Sequence, residues 1–165
     1  MKIGVVTAAD SEKCRVRVQF PDRDEVVSYW LPVMQKKTLK DKAYWMPDIQ
    51  EHVVCLMDEN DEFGVVLGAI YSDADTPPVD SQNKCHIVFE DGTVIEYDRS
   101  AHKLTATVQG DIEVEATGSL VANISGETTI TTPTCILNGS LQVNGNINAA
   151  GSIIDAGGNT NHHSH

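Results

Sequence analysis

Positive charge is scarce in this sequence: 12 Lys and Arg stand against 24 Asp and Glu, a formal net charge of −12. Binding a phosphate backbone needs a cationic face, so this balance argues against a nucleic-acid partner. The one basic cluster, Lys36, Lys37, Lys40 and Lys42, reads as a solvated loop. Long apolar runs are missing too. None reaches the roughly 18 residues that a membrane-spanning helix needs. The opening residues, Met1 to Val6, lack the apolar stretch and small-residue cleavage site of a secretory signal, so assembly in the cytoplasm is expected. Cys14, Cys55, Cys85 and Cys135 are far apart and form no CxxC pair. Without a secretory signal they read as free thiols.

Aromatic residues make up only 5% of the chain, and none lies beyond Tyr97. That asymmetry divides the sequence. Residues 100–165 are almost uncharged and are built from Gly, Thr, Ser, Asn, Ala, Val, Ile and Leu. A hydrophobic fraction of 41% suffices for one modest core.

Residues 1–75 carry five strand signals. Ile3 to Thr7 and Cys14 to Phe20 flank a polar turn, and in the second strand Cys14, Val16, Val18 and Phe20 alternate with Arg15, Arg17 and Gln19. Val26–Val33, Glu51–Met57 and Phe63–Tyr71 supply three more, with the acidic stretch 58–62 as a hairpin turn. Five short strands in so few residues predict a small closed barrel of the OB-fold type. Tyr29, Trp30, Tyr44 and Trp45 are assigned to core or subunit packing. Residues 76–84, with Pro77 and Pro78, form a linker that cannot continue a strand ladder.

The remainder, residues 85–155, has a different grammar. Ile87 to Tyr97 reads as a hairpin around Asp91-Gly92. From Leu104 to Thr132 every even position is apolar, small or Thr, while odd positions include Gln109, Asp111, Glu113, Glu115, Asn123 and Glu127. Alternation this long exceeds any ordinary strand. Gly110, Gly118 and Gly126 recur every eight residues and mark bends. After Pro133 the phase slips by one. Leu137, Leu141, Val143, Ile147 and Ile153 then occupy odd positions, with glycines six apart at 139, 145 and 151. Such units are too short for one chain to coil around a core of its own. Three chains around one axis solve the problem, each supplying one wall and no exposed edges. A homotrimeric, intertwined β-helix is therefore expected.

The sequence ends Asn159-Thr160-Asn161-His162-His163-Ser164-His165. His163 and His165 are two apart, so both rings share one side of an extended segment. In a trimer they would bring six imidazoles together, a set suited to Fe, Ni, Cu or Zn, with six donors favouring an octahedral ion. A solvated tail or an affinity-tag remnant is the plainer reading of the same residues.

An OB-like first domain, glycine repeats of the type Val108-Gln109-Gly110 and Val143-Asn144-Gly145, and a terminal His163-Ser164-His165 occur together here. This combination resembles the baseplate assembly protein V family, the central spikes of contractile phage tails and R-type pyocins. The resemblance implies an all-β homotrimer with an OB-fold domain at 1–75, a β-helical needle at 85–155 and an apex at 156–165. It implies a role as the central spike that caps the tail tube, contacts baseplate hub proteins through the OB-fold domain, and pierces the bacterial outer membrane on sheath contraction. It also implies an apical iron ion shared by three chains through His163 and His165, with His162 facing outward. The lysozyme domain of larger relatives is not matched. A receptor-binding fibre or adhesin on the same scaffold is the alternative, though residues 154–165 offer no globular tip. No catalytic constellation is visible, and His52, His86 and His102 are scattered singly, so no enzymatic activity is expected.

Overall fold

The computed structural model describes residues 1–22, 25–60, 63–151 and 153. The chain divides into two compact units, residues 1–113 and 114–165. All regular structure among the described residues is β, and it lies in the first unit.

A six-stranded sheet is built from β1 (Lys2–Asp10), β2 (Arg15–Phe20), β3 (Val26–Val27), β4 (Leu31–Pro32), β5 (His52–Met57) and β6 (Gly64–Ala69). Its order is β3-β2-β1-β5-β6, with β4 also on β2. Just past β4 the sheet curls shut: Val33 bridges Val66 of β6 in parallel, and Met34 N–H donates to the Val66 carbonyl at 2.9 Å. The barrel is thus closed through Val33, as an OB-fold requires. Val6, Val16, Val18, Phe20, Leu31, Val53, Cys55 and Val66 fill it. The period-two pattern of β2 puts Val16, Val18 and Phe20 inward as expected.

Two expectations change. Cys14 does not start β2; it sits in the turn at φ 51°, half-buried. The strand expected at 26–33 is two short pieces, because Ser28 turns inward between them. Its hydroxyl accepts from Val18 N–H at 3.0 Å and donates to the Tyr29 carbonyl at 2.7 Å, satisfying a polar group that would be costly to bury unpaired. Tyr29, Trp30, Tyr44 and Trp45 all stay outside the core.

A second sheet follows: β7 (Lys84–Val88), β8 (Val94–Asp98) and β9 (Lys103–Thr107), antiparallel in that order. The Asp91-Gly92 hairpin is present, with Gly92 at φ 86° and Phe89 N–H donating to the Thr93 carbonyl at 2.9 Å. Trp45, from the long loop between β4 and β5, stacks on Phe89 with ring centroids 6.0 Å apart.

In the second unit, residues 114–151 and 153 contain no paired strand, and every one is exposed. Local contacts there still keep a period of two. Thr129 bonds Glu127 at 3.4 Å, and Gln142 bonds Asn144 at 3.3 Å. Residues two apart share a side, so these polar pairs lie opposite the apolar positions.

Candidate assembly surface

The register of the second sheet sorts its residues onto two faces. Cys85 pairs with Tyr97 and Tyr97 with Leu104; Ile87 pairs with Ile95 and Ile95 with Ala106. These six make one apolar face. His86, Glu96 and Thr105 lie on the other, between Lys84, Asp98 and Lys103 on one side and Val88, Val94 and Thr107 on the other.

The polar face is the more enclosed of the two. Glu96 accepts from Lys84 Nζ at 3.1 Å and pairs with His86 Nδ1 at 2.8 Å, with the His86 side chain only 13% exposed. The bond to His86, then that to Lys84, holds the Glu96 carboxyl below its ordinary range. Asp98 is lowered as well, first by the Ser100 hydroxyl and then by the Ala101 and Ser100 amides. His86 is therefore not a lone histidine. A two-residue turn at Asp91-Gly92 would have set His86 opposite Tyr97; the observed register, centred on Asp91, sets it opposite Glu96.

The apolar face is the one left open. Tyr97 and Ile95 are both 44% exposed, and Leu104 is 71% exposed. A sheet ordinarily covers its apolar face and wets its polar one. The apolar positions of the second unit are uncovered too, with Val114, Leu120, Ile124, Ile130, Leu141 and Ile147 all exposed. A Cβ on Gly118, Gly126, Gly139, Gly145 or Gly151 would meet nothing within 4 Å beyond its adjacent residues, so no packing within the single chain requires their smallness. An apolar series this extensive on one chain marks an interaction surface.

Among the described residues no group of His, Cys, Asp and Glu is placed to hold a metal. His163 and His165 lie outside the described residues. The four thiols are free, and burial pushes Cys55 up to about 11. No helix among the described residues is long and apolar enough to cross a membrane.

Residues 2–71, the closed barrel, match the family described as the type VI secretion system/phage-baseplate injector OB domain. Over its whole length the chain is similar to the spike protein of Escherichia phage P2. The two are 28% identical over 185 aligned residues, which cover 100% of this chain and 86% of that protein. The barrel is thus tied to baseplate injectors and the whole chain, by likeness, to a phage spike protein. The likeness to the phage P2 protein runs through both the barrel and the repeat region.

Proposed function

We propose that this chain is a baseplate assembly protein V family member and forms the homotrimeric central spike of a contractile tail. One observation carries the reading: an apolar stripe from Leu104 to Ile153, at a strand's period, that nothing in its own chain covers. Winding three copies around one axis would bury the stripe and give the glycines neighbours. It would also pair backbone groups that the single chain leaves to water. The OB-fold barrel then serves as the head that meets baseplate hub and tail-tube proteins. The role is mechanical. Sheath contraction supplies the force, and the interlocked strands resist buckling while the point crosses the outer membrane.

His163 and His165 would close the point in this arrangement. Three pairs of imidazoles give six nitrogen donors, a set that fits an octahedral iron ion and would clamp three ends together. Analytical ultracentrifugation of the full chain tests the assembly. A trimer with a frictional ratio well above that of a sphere is expected, and a stable monomer would refute the reading.

A further inference from the structure

Two exposed features of the barrel are complementary. One is the loop between β4 and β5. Its base is clamped by the Gln35 amide, which donates to the Trp45 carbonyl at 2.9 Å and accepts from Trp45 N–H at 3.0 Å. Ala43 N–H donates to the Lys37 carbonyl at 2.9 Å, and the Tyr44 hydroxyl donates to the Ser11 carbonyl at 3.2 Å. The loop is thus held in shape while its tip points to solvent. That tip carries Lys36, Lys37, Lys40 and Lys42 against a single Asp41, with Leu39 82% exposed among them. Lys37 pairs with Asp41 at 3.1 Å; among the described residues Lys36, Lys40 and Lys42 have no ion-pair partner.

The other feature is a cavity of about 480 Å³ on the same barrel. Ile49, Ile70 and Tyr71 give it apolar walls, and Asp48, Glu51 and Asp75 give it three carboxylates. No lysine or arginine lines it. It is preformed: Gln50 is held at φ 79° by its N–H bond to the Val6 carbonyl at 2.8 Å, and the Glu51 carboxylate accepts from Asp48 N–H at 2.7 Å. The carboxylates of Asp48 and Asp75 have no partner among the described residues.

We propose that the 36–44 loop of one copy seats in this cavity on the next copy, so that the heads interlock in a ring. The inference rests on the three-copy assembly proposed above. An unpaired cationic tip with one leucine and an unpaired anionic cavity with apolar walls match in sign and in chemistry. Because the two surfaces differ, the contact is head-to-tail, and such contacts form rings when the rotation closes. A second copy is the natural occupant, since a shaft holding three chains together keeps each loop at high local concentration near its neighbours. Exposed ion pairs are individually weak, so the contact orients the heads and does not hold the trimer.

A zero-length carbodiimide crosslinking experiment tests it. Full-length chains labelled with ¹⁴N and ¹⁵N are refolded together, and lysine–carboxylate crosslinks are mapped by mass spectrometry. Mixed-isotope links from Lys36, Lys40 or Lys42 to Asp48 or Asp75 are expected. They should fall at least tenfold at 1 M salt, where charges are screened beyond about 3 Å. They should fall as far in Lys36→Glu/Lys40→Glu/Lys42→Glu and in Asp48→Lys/Asp75→Lys, and return when both sets are combined. All these side chains are exposed, so the barrel should keep its thermal transition. A trimer without such links, or links from the loop only to another tail protein in assembled particles, overturns this contact and leaves the spike reading standing. A monomer overturns both.

Discussion

Single residues in the barrel are constrained by backbone as much as by side chains. A Cβ on Gly4 would come within 2.5 Å of both the Gln19 carbonyl oxygen and Val18 Cγ1. A strand carbonyl cannot move aside without breaking its ladder, so Gly4→Ala should destabilise the barrel by about 1–3 kcal/mol. Urea denaturation followed by Trp fluorescence measures this, and a change below about 0.5 kcal/mol would refute the steric argument. The sheet beyond the barrel answers to pH. Glu96 and Asp98 have carboxyls lowered in the fold, from ordinary values of 4.5 and 3.8. Their stabilisation is complete above those values and is lost as pH falls through the lower folded ones. Protection factors for amide exchange in β7–β9 should therefore fall below about pH 4, and Glu96→Gln should flatten that dependence. Equal acid sensitivity in the variant would show that the network does not matter.

At the scale of elements, alternation was the most legible signal. It placed Val16, Val18 and Phe20 in the core and predicted the Asp91-Gly92 hairpin. Its failures have physical causes. Period two cannot foresee that Ser28 turns inward, because Ser28 does so to bond the backbone of β2 and not to bury apolar surface. Nor does it reveal that β9 pairs with β8, since that pairing depends on a turn at 99–102, with His102 at φ 52°, that carries no glycine. The same alternation predicts two different outcomes in the repeat region. Ile124→Glu should abolish assembly, since burial of an isoleucine contributes about 1.5–3 kcal/mol per chain and an unpaired buried charge costs more. Asn123→Glu, one residue away on the opposite face, should leave it intact. Sedimentation velocity separates them, and equal behaviour of the two variants would remove the basis for a one-sided stripe.

For the whole molecule, the decisive quantities are stoichiometry and metal content. Purified protein should carry one iron per three chains. His163→Ala with His165→Ala should lose it while remaining trimeric, read by elemental analysis and light scattering. Unchanged metal content would place the ion elsewhere. The barrel and the repeat region were both visible in the sequence, but the proposed assembly would draw on residues from more than one chain. No single-chain pattern states how many copies meet or how their heads contact each other.

The one-residue slip of phase near Pro133 has a consequence for how such a protein can vary. Inserting or deleting an odd number of residues within either repeat series would flip every later side chain to the wrong face. Removing or adding a whole eight-residue or six-residue unit would leave inside and outside unchanged. In the proposed shaft, reach would therefore be set in discrete steps without redesigning the barrel, and the slip would mark where one ruler hands over to another.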